Sequence, residues 1–425
     1  MLDRITPPPA STIDSVDLQQ AVTYTLDNGA KLHVIEAMDH PIIRLEVIFQ
    51  AGNWYESNVG TSYFGTKLLT EGTSKRTSND ISNIVDQYGA TVKPDTGLDQ
   101  VELQLTTLSE YFNNLCPLLR ELTFDSNFPV DELETAKNIR IQEIRTDSQK
   151  TSVVASKALR KRLFGPGHPY GRSLTESEIT DLEAQQVRNF HQQVMTNNYE
   201  LMMVGRIEEH HHKIINQLFG QKTLDIKSNS TFYPIDGSQE RQVIRKEGAL
   251  QSSIRLGMIW PKKNHPDYIG LKILSEILGG YFGSRLMMNI REDKGYTYGI
   301  FAHVFALRHE SFFLIGTDVV KEYTFQTLEE IYKEIKRLRT EPVPEDELMT
   351  VRNYMVGSFL GEISTPFSLA EKFKSVHGYG LSYDYYDNYL ETINSITPER
   401  IMELANIYLN EDQLTEVICG DISES

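Results

Sequence analysis

Residues 49–77 read FQAGNWYESNVGTSYFGTKLLTEGTSKRT, and the placement of this stretch decides the fold. It starts at the end of a strand: in PIIRLEVIFQAG, Ile43, Leu45, Val47 and Phe49 fall on one face by the period of two that marks a half-buried strand. Helices follow. SNDISNIVDQYG sets Ile81, Ile84, Val85 and Tyr88 at helical spacing, and Gly89 stops the run. Upstream, YTLDNGAKLHVIE reads as a hairpin turned at Asn28-Gly29, the strongest short turn signal between apolar segments. Downstream, DQVELQLTTL returns to strand alternation through Val101, Leu103 and Leu105. Helical patterns then occupy about 109–123 and 131–160, and YELMMVGRI is a further apolar strand.

The chain has 425 residues, too many for one compact core and suited to two domains of roughly 200. Hydrophobic residues at 40% and charged residues at 24% describe an ordinary globular protein. A formal charge of −17 argues against nucleic acid or an anionic membrane as partner, because both require clustered Lys and Arg. Cys116 and Cys419 sit among apolar residues and read as buried thiols; two cysteines build neither a zinc site nor a disulfide framework. The N-terminal residues lack the apolar core of a secretory signal, and no apolar run reaches the ~18 residues of a membrane span. The expected compartment is the cytoplasm, or the periplasm if a leader has been removed.

The chain also repeats itself. Residues 1–15 form a proline-containing extended arm and 16–221 a first domain. Residues 222–241, KTLDIKSNSTFYPIDGSQER, are an aperiodic polar linker, and 242–425 form a second domain. Strand SSIRLGMIW, helix DYIGLKILSEIL, strands around YTYGIFAHVF and ESFFLIGT, helices and a closing strand TEVICGD repeat the order of the first half. The expected fold class is α+β. Two similar halves, each a mostly antiparallel sheet packed with helices, are joined by a linker.

A zinc peptidase helix needs two ligands one turn apart and a carboxylate beside them to activate water; in the inverted order H-x-x-E-H the glutamate directly precedes the second histidine. The stretch FQAGNWYESNVGTSYFGTKLLTEGTSKRT resembles the first-half signature of the insulinase/pitrilysin family, in its short, processing-peptidase-like branch. Gly60 and Gly72-Thr73 fall where that family's pattern places them. The resemblance puts Tyr63 at the first histidine, Thr66 at the glutamate and Lys67 at the second histidine. None can take the family's role: an ammonium repels Zn²⁺, and a threonine is no general base. The family's third ligand maps onto Glu143 in IRIQEIRT, 76 residues after Lys67. A lone carboxylate does not hold zinc, so the resemblance implies no metal in this chain and an expected Lys67–Glu143 ion pair in its place. FGPGHPYGRSLTESEITDLEAQQVRNFHQQVMTNNYELMMVG continues the likeness, and makes His168 a loop-packing residue rather than a ligand.

In the second half, ILGGYFGSRLMMNIREDKGYTYGIFAHV resembles the family's C-terminal signature, in which an Arg and a Tyr seven residues later complete the active site; here they are Arg291 and Tyr298. A guanidinium and a phenol can hydrogen-bond a substrate carbonyl and its developing oxyanion. Other suggestive stretches are decoys. EEHHHKII points its three histidines in different directions, ILGGYFG lacks the context of a phosphate loop, and no G-x-S-x-G occurs. His33, His40, His168 and His191 show no ligand spacing. The resemblance thus implies a zinc-free subunit of a two-chain zinc endopeptidase, forming half of a clamshell chamber around peptide substrates. A homologous H-x-x-E-H partner would bear the zinc, and a homodimer is possible when this chain is alone. The rivals are a structural or peptide-binding scaffold, like the core proteins of respiratory complexes, and a self-contained enzyme with another metal arrangement.

Overall fold

The computed structural model describes residues 13, 15–225 and 231–422; most of the expected 1–15 arm and part of the 222–241 segment lie outside them. In the first half the strands are β1 (Val22–Thr25), β2 (Lys31–Glu36), β3 (Ile42–Phe49), β4 (Thr91–Thr96), β5 (Val101–Leu108) and β6 (Tyr199–Gly205), arranged β1-β2-β6-β3-β5-β4. In the second half β7 (Gln242–Arg245), β8 (Gln251–Trp260), β9 (Thr297–Ala306), β10 (Ser311–Val320) and β11 (Thr415–Gly420) are arranged β7-β11-β8-β10-β9. Apart from the extra β1, the two orders are the same. In each sheet the single parallel pairing, β2 with β6 and β7 with β11, joins the first strand of the repeat to the last. The expected α+β duplication is therefore present down to strand order. The Asn28-Gly29 hairpin is present too: Gly29 adopts φ 88°, and Thr25 pairs with Lys31.

Helices of its own half pack on one face of each sheet, and a helix of the other half packs on the opposite face. The first half contributes α1 (Thr61–Lys67), α2 (Ser78–Gln87), α3 (Phe112–Phe124), α4 (Val130–Asp147), α5 (Thr151–Phe164), α6 (Glu176–Asp181), α7 (Ala184–Gln193) and α8 (Glu209–Phe219). The second contributes α9 (Tyr268–Ser275), α10 (Thr324–Thr340), α11 (Glu345–Gly361), α12 (Pro366–His377), α13 (Asp384–Ser395) and α14 (Pro398–Tyr408). α2 starts at a capping box in which Thr77 and Asp80 exchange bonds with each other's backbone N–H. The helical pattern over 131–160 is two helices, not one. Lys150 is extended (φ −87°, ψ 117°) between α4 and α5, so the chain turns and α5 leaves its own half.

That departure holds the halves together. α5 lays Ala155, Leu159, Leu163 and Phe164 on the outer face of the second sheet, against Phe312, Leu314, Val417 and Cys419. The approach requires Gly257: a Cβ there would lie 3.0 Å from Leu159 Cδ2 and from the Phe313 carbonyl. In return α12 of the second half lays Ala370 and Phe373 on Ile35, Ile48, Met202 and Val204 of the first sheet. Fully burying each large apolar side chain stabilises by about 1.5–3 kcal/mol, so the exchanged helices belong to both cores. Beside α12, Lys374 reaches Glu46 (2.9 Å), Glu102 (3.1 Å) and Glu371 (3.1 Å), while Arg44 pairs with Glu46 (2.9 Å) and Glu371 (2.8 Å). Among the described residues no helix is long and apolar enough to cross a membrane.

Candidate functional site

The altered motif lies on α1, whose start is built without a capping side chain of its own. Gly60 is left-handed (φ 94°), and the buried Glu56 carboxylate accepts from the N–H groups of Gly60 (3.0 Å) and Ser62 (2.8 Å). Glu56 also pairs with Arg172 at 2.8 Å, yet burial outweighs these partners and pushes its carboxyl up to about 7. Thr66 is fully buried, with its hydroxyl donating to the Ser62 carbonyl at 2.8 Å, so it is closed to any substrate. Lys67 is exposed. Tyr63 is half-buried, and burial raises its phenol above the usual range.

The expected Lys67–Glu143 ion pair is not formed. Glu143 instead pairs with Arg140 at 2.7 Å, one turn earlier on α4, and the Arg140 guanidinium lies 4.8 Å from the centre of the Tyr63 ring. The reason is reach: Arg140 shares a helix face with Glu143, whereas Lys67 ends a seven-residue helix and turns to solvent. A monovalent organic cation thus stands between two of the mapped motif positions. A phenol, a buried hydroxyl, an ammonium and a carboxylate neutralised by arginine form no zinc donor set, so the metal implied by the family does not fit here. The adjoining cleft, of 460 Å³, is lined by Arg140, Lys157, Arg160 and Arg172 with Glu56 and Tyr63. Burial and then the charge of Arg140 hold the Lys157 ammonium below its usual range.

Arg291 and Tyr298 are brought together. Arg291 sits in a wide helical turn, Met287–Asp293, and Tyr298 is the second residue of β9. The guanidinium lies 4.6 Å from the Phe282 ring centre and 5.5 Å from that of Tyr298, with Glu292 at 3.4 Å from its Nε. Tyr298 is 91% exposed. Among the described residues no hydrogen bond, ion pair or ring contact links either residue to Tyr63, Thr66, Lys67 or Glu143. β9 is an edge strand, and exposed Phe301, His303 and Phe305 alternate with buried Ile300, Ala302 and Val304. Gly316 on β10 makes room for one of these rings, since a Cβ there would lie 2.5 Å from Phe301 Cζ.

Comparison with known families places this geometry. The model described as "Insulinase (Peptidase family M16)" matches residues 34–178, and "Peptidase M16 inactive domain" matches 181–355. The chain belongs to the M16 peptidase family. A Bacillus subtilis relative named "Uncharacterized zinc protease YmxG" is 23% identical over 404 residues, covering 93% of this chain and 97% of its own. The "Non-peptidase homolog YmxG" of Helicobacter pylori is 21% identical over 415 residues, 94% of each chain. Two solved structures have a TM-score of 0.85. One is a peptidase M16 inactive domain from Pseudomonas fluorescens (23% identity; 95% of this chain, 99% of that one), the other a protease from Helicobacter pylori (18%; 95% and 100%). The periplasmic protease PqqL of Escherichia coli matches 99% of this chain with 49% of its own (TM-score 0.78, 12% identity). These M16 likenesses establish the two-half fold.

The decoys of the M16 chain have structural duties. His168 is buried, accepts the Tyr170 N–H through Nδ1 at 3.1 Å and stacks on Phe164. In the histidine tract, His211 is buried and its Nδ1 accepts the Glu208 N–H at 3.0 Å, capping α8. Both cysteines are buried free thiols. What the sequence reading missed is Arg140, although a cation one turn before the mapped third-ligand position was visible in NIRIQEI.

Proposed function

We propose that this chain is the zinc-free subunit of a two-chain M16 metalloendopeptidase. A homologous partner with an intact H-x-x-E-H helix holds the zinc, which supplies a polarised water for peptide hydrolysis. This chain helps enclose the peptide and lends Arg291 and Tyr298 to the partner's site. The observation that carries the reading is the pairing of the two residues: a guanidinium and a 91% exposed phenol, 5.5 Å apart and unengaged by the chain's own altered motif. Their donors can meet a substrate carbonyl as it becomes an oxyanion. The exposed edge of β9 runs on from Tyr298 and suits a peptide added as a strand, with Phe301 and Phe305 meeting alternate side chains.

The test uses the reconstituted pair. Arg291→Ala and Tyr298→Phe each lower kcat/KM by roughly 10²-fold, the scale of one lost oxyanion donor, while the complex elutes unchanged on gel filtration. Unaltered turnover with either variant would favour the second reading, a scaffold or peptide-binding subunit. That reading draws on the cation–π contacts that already occupy Arg291 with Phe282 and Tyr298.

A further inference from the structure

Sheet pairing and helix exchange gather three residues that are far apart in sequence. β2 and β6 are parallel neighbours with His33 opposite Met202, which puts Glu200, two residues earlier on the same face, within reach of His33; His377 is the last residue of α12, the second half's helix on the first sheet. His33 Nε2 lies 3.1 Å and His377 Nε2 2.8 Å from the same carboxylate oxygen, Glu200 Oε2. All three candidate ligand atoms lie within 4.8 Å of one another, and no other group of three such side chains does so among the described residues. Tetrahedral zinc ligands at ~2.0–2.2 Å from the metal stand about 3.3–3.5 Å apart. A small opening of the present contacts would therefore admit the ion.

The surroundings support ligation. Thr23 Oγ1 lies 2.9 Å from His33 Nδ1. It can accept from Nδ1–H, which leaves the Nε2 lone pair for a metal; histidine ligands are held in this way by a second hydrogen bond. Phe373 fixes both rings, at 4.6 Å from His33 and stacked at 4.9 Å on His377. Exposure is graded: His33 is 1% exposed, the Glu200 side chain 27% and that of His377 42%. One side thus stays open for a water as fourth ligand. Two imidazoles and one carboxylate suit zinc or a similar transition ion rather than magnesium or calcium.

We infer that His33, Glu200 and His377 form a divalent transition-metal site, zinc foremost, that staples α12 of the second half to the sheet of the first. The site shares no residue with the altered motif on α1 and α4, and it departs from the expectation that this chain binds no metal. An ion there closes the seam beside Lys374, Glu46 and Glu102 and stiffens the joint between the halves.

Zinc titration of the chelator-stripped full-length chain by calorimetry tests this, in a His210→Ala/His212→Ala background that removes the exposed part of the histidine tract. One zinc per chain is expected. Its affinity should fall at least 100-fold in Glu200→Gln and in His377→Gln, and zinc should raise Tm by several degrees in the background chain but not in His377→Gln. Cobalt bound at the same stoichiometry should show a tetrahedral absorption spectrum. Zinc binding that disappears with the tract, or that survives Glu200→Gln unchanged, would reveal an adventitious ion only and overturn the assignment. Failure of the background chain to bind zinc would do the same.

Discussion

Tyr63, Thr66 and Lys67 form no zinc donor set, and their surroundings oppose a metal as well. Restoring the letters, by Tyr63→His, Thr66→Glu and Lys67→His, leaves Arg140 paired with Glu143 and puts a carboxylate where Thr66 is fully buried. The triple variant is therefore expected to be less stable by roughly 2–4 kcal/mol in denaturant titration, the order of an unpaired buried polar group. Adding Arg140→Ala should tighten zinc binding at this helix by about tenfold or more, measured in a Glu200→Gln background; such factors are typical of a metal's supporting shell. Full zinc affinity in the triple variant would contradict this account of Arg140. A second expectation concerns His191, buried with Nε2 2.8 Å from the Thr123 carbonyl and pushed down to about 4 by desolvation. The unfolded chain takes up the proton near 6.5, the folded chain only near 4. The stability this neutral histidine confers is whole above about 6.5 and is lost as pH falls toward 4, by roughly 1.4 kcal/mol per pH unit. His191→Gln should flatten that part of the stability–pH curve; an unchanged curve would show that His191 is not the group responsible.

Among the elements, α12 and α5 do the joining, and the charged seam beside α12 should reveal it. Glu46 is fully buried, and burial raises its carboxyl despite Lys374 and Arg44. Lys374→Ala removes one of its two cations and should cost about 3–5 kcal/mol, as breaking a buried pair does. Glu371→Ala, on a side chain 55% exposed, should cost under ~1 kcal/mol. Equal, small losses in the denaturation midpoints would argue against α12 as a joint. Strand alternation made most of the sheet residues legible, since β5 and β9 follow the period of two; β3, expected to be half-buried, is instead covered on both faces because α12 packs over Ile48. The resemblance that reads an altered motif on α1 rests on Gly60 and Gly72-Thr73. The break at Ser148–Lys150 was not, because helical spacing continues on both sides of a polar stretch and only the second sheet draws α5 away. Nor was the meeting of His33, Glu200 and His377: it needs both a parallel strand pair and a helix exchanged between halves, and neither leaves a local trace.

For the whole molecule, the two halves of the chain share a strand order. They bear different groups: α1 of the first half has Tyr63, Thr66 and Lys67, while the second half sets Arg291, in Met287–Asp293, beside the exposed Tyr298 of β9. Under the proposed function, the site is completed between two chains. The most direct measurement is hydrolysis of a peptide library by this chain alone, by a homologous H-x-x-E-H chain alone, and by the two mixed at equal concentration. Cleavage is expected to depend on the mixture, to follow the amount of complex formed and to fall about 10²-fold with Arg291→Ala. Cleavage by this chain alone, or equal cleavage by the H-x-x-E-H chain without it, would contradict the account.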